Sequence, residues 1–326
     1  MSFVLLAVLC ACGATISSTE QQPQQPSSPA PDPGAVFAPA VAFDGTRNRL
    51  IVVGGEGASR SLPQATWEWN GTSWLMASNS GPSGRFWAAM AYDPSRRRAV
   101  LFGGANAGGA LNDTWEFDGT TWVSFNAPGP SARFAHEMVW DASRQRVVMH
   151  GGTGPGGPYP DTWEWNGATW TRIDAGPHPP ARFTHALAYD ATRQRLTLFG
   201  GHGIPPSGGS AMTQLGDTWT LGSTWSAAST GPGPRDHVSM VYDEARRRIV
   251  LYGGVRNPGP GQLMDTWEWD GSTWSLRNSN GPAVHGNHRL VYDPSRRRVL
   301  LFTGAADGAL TSRVHAWDGE SWVSIS

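Results

Sequence analysis

Three short sequence markers recur together six times along this chain of 326 residues, at nearly constant spacing. The first marker is a glycine pair, found at 54–55, 103–104, 151–152, 200–201 and 253–254, with Thr303-Gly304 as a degraded sixth copy. Successive pairs are 49, 48, 49, 53 and 50 residues apart. A repeat of this length predicts a supersecondary unit that buries its apolar faces only against copies of itself.

The other two markers keep the same period. The second is an aspartate upstream of each glycine pair, and the third is a lone tryptophan downstream of it. The aspartates are Asp44, Asp93, Asp141, Asp190, Asp243 and Asp293. The tryptophans are Trp74, Trp122, Trp170, Trp225, Trp274 and Trp322.

Each unit is predicted to contain four short strands. In the second unit the first strand is expected over 86–92, followed by a turn at Asp93-Pro94. The apolar run 99–102 is typical of a strand buried on both faces, and the segment 113–117 alternates aromatic with polar residues. Asp118-Gly119 indicates a hairpin that leads into the fourth strand.

The glycine pair, the Asp-Thr-Trp-Glu-Trp strand at 161–165 and the later Trp170 resemble the kelch repeat, which also occurs in galactose-oxidase-type propellers. The resemblance implies an all-β, six-bladed β-propeller of the kelch type over residues 37–326, with four antiparallel strands per blade. The expected blades are 37–84, 85–132, 133–181, 182–234, 235–284 and 285–326. Since each blade is one contiguous segment, we expect packing of blade one on blade six to close the ring.

The N-terminal segment is predicted to be an export signal. Its apolar run 3–11 has nine residues, which suits the hydrophobic region of a signal peptide rather than a membrane span. Leu9-Cys10-Ala11-Cys12 resembles a bacterial lipobox, which implies cleavage after residue 11 and lipidation of Cys12. The alternatives are a secretory signal cut near Ala14, or no export signal, because no Lys or Arg precedes the run.

Residues 12–36 are predicted to be a disordered tether, because they are rich in Ser, Gln and Pro. We therefore expect a protein anchored by lipid to a bacterial membrane, at the outer membrane or cell surface, or else a secreted or periplasmic one. Apart from that anchor no membrane contact is expected.

Composition excludes several functional classes. A net charge of −1 does not favour nucleic-acid binding. The two cysteines, Cys10 and Cys12, precede the repeats, which excludes disulfides, a cysteine zinc site and the copper-radical chemistry of galactose oxidase from the repeat region. We expect no metal, no cofactor and a monomer.

Candidate ligand contacts lie in the segments that join one blade to the next. The resemblance places these segments around one mouth of the central channel. They contain a recurring basic residue (Arg85, Arg133, Arg182 and Arg235, with His285 in the sixth unit) and histidines about three residues later (His136, His185, His237 and His288), joined by Glu137, Asp236 and Arg289. Arginine suits an anionic ligand, but an arginine repeated in each blade also suits a structural role, in which it ties its loop to neighbouring carbonyls.

Two other features leave alternatives open. Fifteen of the 25 arginines lie in the turns between first and second strands, where they form a solvated, partly paired rim or a docking surface for an anionic polymer. The loop 202–217 is the longest of its class, and it is either a lid or an insertion.

The sequence supports two functions. The first is a non-catalytic binding or scaffold module at the cell envelope, with an unknown protein or carbohydrate ligand at the channel mouth. The second is a carbohydrate-active enzyme similar to sugar epimerases or mutarotases, in which Arg133, His136 and Glu137 would serve as the site.

Overall fold

The computed structural model describes residues 32–34, 36–173, 176–205, 211–229, 231–259, 261–284, 288–303 and 313–325. Their regular structure consists of β-strands and one short 3₁₀ turn, Ala58–Arg60. Within these ranges the chain forms six four-stranded antiparallel sheets, which we call sheets 1 to 6 in chain order. Pro31–Ser326 is one compact unit. In the described part of the chain, no helix is long and apolar enough to cross a bilayer.

Every sheet is a meander in which the four strands pair in chain order. The first strands are Ala40–Asp44, Ala89–Asp93, Glu137–Asp141, Ala186–Asp190, Ser239–Asp243 and Arg289–Asp293. The second strands are Arg49–Val53, Arg98–Phe102, Arg146–His150, Arg195–Phe199, Arg248–Arg256 and Arg298–Phe302. The third strands are Thr66–Trp69, Thr114–Phe117, Thr162–Trp165, Thr218–Leu221, Gly261–Trp269 and Val314–Trp317.

The fourth strands are Trp74–Ser78, Trp122–Phe125, Trp170–Arg172, Trp225–Ala227, Trp274–Asn278 and Trp322–Ser324. Two-residue strands in the loops are Ala105–Asn106, Gly109–Ala110, Thr153–Gly154, Gly157–Pro158, Arg182–Phe183, His202–Gly203 and Thr213–Gln214. The all-β prediction with four antiparallel strands per unit is therefore confirmed.

The recurring aspartate builds the turn that follows each first strand. In sheet 2, Asp93 Oδ1 accepts hydrogen bonds from the backbone N–H groups of Ser95 and Arg96, while Oδ2 accepts from Arg96 Nε at 2.7 Å. Arg96 also reaches Glu116 on the third strand, at 2.6 Å. One aspartate thus closes the turn and orients an arginine that ties the first hairpin to the third strand.

The glycine pair lets the next segment approach the sheet. Gly103 and Gly104 have φ of +61° and +98°, and a Cβ on Gly103 would lie 2.6 Å from the carbonyl oxygen of Arg133. That oxygen accepts a 2.9 Å hydrogen bond from Gly104 N. Only glycine combines this φ with this close approach.

The first strand of sheet 2 begins at Ala89, three residues later than the sequence predicts. Phe86 forms only an isolated bridge with Ala105, and Trp87 has a φ of +54°. This left-handed residue interrupts the extended backbone, so residues 86–88 belong to the connecting segment.

Neighbouring sheets pack face to face, with apolar side chains from both sheets in each layer. Between sheets 1 and 2, Ala42 and Ile51 meet Met90 and Leu101. A hydrogen bond recurs in five of these layers, because the tryptophan that opens a fourth strand donates to a threonine of the preceding sheet. The pairs are Trp122–Thr66, Trp170–Thr114, Trp225–Thr162, Trp274–Thr218 and Trp322–Thr266, at 2.9 to 3.0 Å.

The first strands of successive sheets contact one another, and the first strand of sheet 6 also contacts that of sheet 1. Apolar side chains of both sheets form this last layer, among them Val52, Trp69, Leu300 and Phe302. Among the described residues, neither sheet borrows a strand from the other. At this seam Val314 stands where the other sheets have the acceptor threonine. Sheets 6 and 1 are therefore joined by apolar packing, without the tryptophan–threonine hydrogen bond.

Candidate functional site

The four recurring arginines are anchored inside the protein. The side chain of Arg133 has no solvent exposure, and it pairs with Asp161 through Nη1–Oδ1 at 2.6 Å and Nη2–Oδ2 at 2.9 Å. Its remaining bonds go to the carbonyl oxygens of Gly151 and Ser131. The equivalent pairs are Arg85–Asp113, Arg182–Asp217 and Arg235–Asp265.

The recurring arginines are therefore not exposed at the channel mouth, contrary to what is expected for residues that bind a ligand there. Arg85, Arg182 and Arg235 are also at most 1% exposed. All five N–H groups of Arg85 point to protein acceptors: Asp113, Gly103 and Ser83. Each arginine has the structural role that was the alternative prediction from the sequence. It ties a connecting segment to the loop of the sheet that follows it.

The aspartate of the Asp-Thr-Trp motif completes each clamp. Asp161 Oδ2 also accepts a 2.8 Å bond from Trp163 Nε1. Burial alone would raise the pKa of Asp161, but the hydrogen bond and charge of Arg133 hold that pKa below its ordinary value. The carboxylate therefore stays ionised, which a buried guanidinium requires.

The histidines expected at the mouth are buried between sheets. His136 and His185 have no exposure, and His288 has 1%. Burial is the main reason that the pKa of His136 falls from 6.5 to about 3 and that of His288 to about 4. The pKa of His185 is lowered well below 6.5 for the same reason. All three rings are neutral at pH 7, and none reaches a surface ligand.

Glu137 lies inside the channel, where it pairs with Arg289 of the facing sheet. Arg289 Nη1 is 2.7 Å from Glu137 Oε1, and their side chains are 15% and 18% exposed. Burial raises the pKa of Glu137, and the charge of Arg289 opposes that shift. Since Arg133 is paired with Asp161 and the His136 ring is fully buried, the structure does not bring the proposed catalytic trio together at an accessible surface.

A hydrogen-bonded rim forms at the mouth in five of the connecting segments, two residues after each arginine position. Ala38, Trp87, Ala135, Thr184 and His237 occupy it with φ between +52° and +56°. Each of the last four donates its backbone N–H to the carbonyl oxygen of the previous one at 2.9 Å. These bonds link five consecutive segments and aim their side chains at the channel mouth.

Trp87 covers the mouth. Its ring stacks on Phe134 at 5.5 Å with an interplanar angle of 9°, and it lies 5.3 Å from Phe86, 6.0 Å from Phe37 and 6.5 Å from His237. The crevice between Trp87 and the Glu137–Arg289 pair has only about 10 Å³. A ligand at this end therefore has to bind on the outer face of this aromatic group, which we call the aromatic mouth: Phe37, Phe86, Trp87 and Phe134.

A polar corner adjoins the aromatic mouth. Asp236 Oδ1 lies 3.1 Å from His237 Nδ1 and accepts a 3.0 Å bond from Gln214, while Asp236 Oδ2 lies 3.4 Å from His202 Nδ1. Burial would raise the pKa of Asp236, but His237 keeps it below the ordinary value. His202 and Gln214 come from the long loop, in which residues 206–210 lie outside the described part.

Sequence reasoning missed Trp87 as a site residue. Of the 17 tryptophans, it is the one at a repeat position where no other repeat has Phe, Tyr or Trp, and this irregularity was an available signal. His237 was grouped with the buried histidines, although it stands two rather than three residues after its arginine. The spacing thus separated a surface histidine from the internal ones.

Comparisons with known proteins agree with this architecture. A family profile described as the KLHDC2/KLHL20/DRC7 Kelch-repeats domain matches residues 15–201, more than half of the chain. A structure titled "Structure of YjhT" aligns with a TM-score of 0.66 over 90% of this chain and 99% of that one. Their sequences are 13% identical, so this likeness concerns the fold alone. No curated protein matches the sequence.

Proposed function

This chain belongs to the kelch-repeat proteins, and we propose that it is a six-bladed propeller that serves as a non-catalytic binding module. Sheets 1 to 6 are its blades, and the contact between the first strands of sheets 6 and 1 supports a closed ring. The ligand is a protein segment that docks on the aromatic mouth.

The observation that carries this proposal is the placement of Trp87 at the mouth. Its ring packs on Phe134 and is half-buried, so part of it is accessible. Phe37 beside it is 37% exposed. Accessible aromatic rings held by a rigid backbone are typical of binding hot spots, and the Asp236 corner adds hydrogen-bonding groups at the edge.

Selection from a displayed random-peptide library, followed by titration of the selected peptides, tests the proposal. Trp87→Ala and Phe134→Ala are expected to weaken binding at least tenfold, whereas Val123→Ala on an exposed outer strand should leave it unchanged. The proposal fails if no peptide binds saturably, or if Trp87→Ala binds as well as the parent. Binding of glycans instead of peptides on a glycan array would assign the mouth to carbohydrate.

A second candidate function, a carbohydrate-active enzyme, is favoured by one feature, the Asp236–His237 pair. A carboxylate beside an imidazole at an accessible mouth is a potential acid–base group. Epimerase and mutarotase assays on neutral and acidic sugars test it. Turnover that His237→Ala abolishes and Trp87→Ala preserves would favour the enzyme over the binding module.

We further propose that the module is exported and anchored by lipid at Cys12, either at the outer membrane or at the cell surface. Residues 1–31, including Cys12, lie outside the described part of the chain, and the support is the sequence pattern around Cys12. Labelling cells with a palmitate analogue should mark the protein, and Cys12→Ser should abolish the label. A labelled Cys12→Ser variant would contradict the anchor.

A further inference from the structure

The channel contains a second, larger cavity on the opposite side of the Glu137–Arg289 pair from the aromatic mouth. Its volume is ≈ 320 Å³, and the first strands of the sheets form its walls. The wall side chains are mostly apolar, and many are small, among them Ala42, Ala91, Val139, Ala188, Val241 and Val291. An apolar cavity of ~150 Å³ holds a benzene-sized molecule, so this one has room for roughly twice that bulk.

The outer part of this cavity is aromatic. Each sheet places an aromatic residue directly before the turn aspartate of its first strand, and all six side chains line the cavity: Phe43, Tyr92, Trp140, Tyr189, Tyr242 and Tyr292. Several of these rings are fixed at their hydroxyls, since Tyr92 bonds Thr46 at 2.9 Å and Tyr242 bonds Thr192 at 2.6 Å. The cavity is thus rigid and does not depend on a mobile loop.

The inner end of the cavity is closed by an ion pair, in which each charge neutralises the other. The Glu137 carboxylate and the Arg289 guanidinium line the inner end and bind one another across the channel at 2.7 Å. A charged ligand group at this depth would lose its hydration and would find no unpaired charge of opposite sign, so its burial would cost free energy. An apolar group would lose nothing there, so the apolar end of a ligand belongs inside.

The turns that surround the opening contain excess positive charge. In sheet 2, the first arginine of the turn, Arg96, is neutralised by Asp93 and Glu116. The next one, Arg97, is exposed, and so are Arg247 and Arg297 at the same position. Within the described residues none of these three has a carboxylate within 4.0 Å. These arginines stand five residues after the cavity-lining Tyr92, Tyr242 and Tyr292, and Glu244 is an acidic residue of the same turns that lines the cavity. The guanidinium groups of the turns outnumber their carboxylates, which favours an anion at the opening.

We propose that this cavity binds a single-chain anionic amphiphile, with the apolar chain inside the channel and the anionic head at the opening. The walls and the volume select the chain, and Arg97, Arg247 and Arg297 select the head. This site is independent of the aromatic mouth, because the Glu137–Arg289 pair separates the two.

Calorimetric titration of the complete protein with laurate below its micellar concentration tests the proposal. We expect saturable binding of one laurate per chain. Ala142→Trp combined with Ala191→Trp, two exposed positions at the rim of the cavity, should weaken binding at least tenfold. Val123→Trp on an outer strand is the matched control and should bind like the parent. Absence of saturable binding, or full binding by the rim variant, would overturn the site.

The head group is tested separately with Arg97→Gln, Arg247→Gln and Arg297→Gln combined. Gln145 and Gln194 occupy this position in sheets 3 and 4 with φ of +55° and +51°, so glutamine is compatible with the backbone conformation there. Laurate affinity should fall at least threefold while that of dodecanol stays constant. An equal fall for both ligands, or no fall for laurate, would refute the assignment of the head.

Discussion

Arg133 and Asp161 form a two-point ion pair in which the guanidinium has no solvent exposure and the carboxylate is 11% exposed. Breaking one side of such a pair leaves a buried charge without a partner. We predict that Arg133→Val lowers the free energy of unfolding by about 3–5 kcal/mol. Urea denaturation followed by tryptophan fluorescence measures this loss.

Sheet 1 supplies the control for this variant. It has Val36 and Ala65 where sheet 3 has Arg133 and Asp161, so the fold accepts the loss of both partners together. The double variant Arg133→Val, Asp161→Ala should therefore be more stable than the sum of the two single losses predicts, by at least about 1 kcal/mol. Strict additivity would show that the two residues do not act as a pair.

Buried histidines predict loss of stability in mild acid. His136 and His150 have folded-state pKa values of about 3, and His288 has one of about 4, against 6.5 in the unfolded chain. Only the unfolded chain takes up these protons as the pH falls below 6.5. Stability should thus decline as the pH falls from 6.5 to about 4, by on the order of 1 kcal/mol per pH unit for each histidine.

Denaturation midpoints between pH 7.5 and 4.5 measure this decline. His136→Val combined with His185→Val removes two buried imidazoles with lowered pKa values. Val238 already occupies the equivalent position in sheet 5. The double variant should show a shallower pH dependence than the parent. An unchanged slope would mean that other groups cause the acid sensitivity.

The glycine pair predicts a position-dependent cost of adding a methyl group. Gly103→Ala places Cβ 2.6 Å from a backbone oxygen, whereas Gly261→Ala, at a φ of +77°, meets no atom within 4 Å. Both changes strain the backbone by about 1–2 kcal/mol. Gly103→Ala should cost about 1–3 kcal/mol more because of the clash. Equal midpoint shifts in thermal melts would contradict the close approach.

The tryptophan–threonine bonds predict opposite effects at two equivalent positions. Thr218→Val removes the acceptor of Trp274 and should destabilise the protein by about 0.5–1.5 kcal/mol. Val314→Thr introduces the missing acceptor at the seam and should stabilise the protein by about 0.5–1 kcal/mol. Calorimetric melting of both variants checks the signs. Destabilisation by Val314→Thr would show that the seam has no place for this bond.

Local sequence chemistry was sufficient to predict the strands. The Asp-Pro-Ser-Arg turn, the apolar second strand and the alternating third strand each encode their conformation within a few residues. The boundary error at Ala89 arose because a left-handed tryptophan has no local signature. Side-chain faces in the third strand follow the predicted alternation, with Phe117 toward sheet 1 and Glu116 bonded to Trp165 of sheet 3.

The candidate site was harder to predict because it depends on contacts between distant residues. The partner of Arg133 stands 28 residues away, and the sequence hint was that arginine and aspartate are absent together from sheet 1. Trp87 and His237 are 150 residues apart and meet only across the channel mouth. Position in the repeat identified the connecting segments, but it did not show which of their side chains face solvent.

The contiguity of every sheet has a consequence for the evolution of this protein. Since the strands that the structure describes are not exchanged across the seam between sheets 6 and 1, duplication or deletion of one whole unit leaves their hairpins intact. Only the angle between neighbouring sheets has to adjust. Such a chain can gain or lose a repeat by recombination at the connecting segments, without first evolving a new way to join its ends.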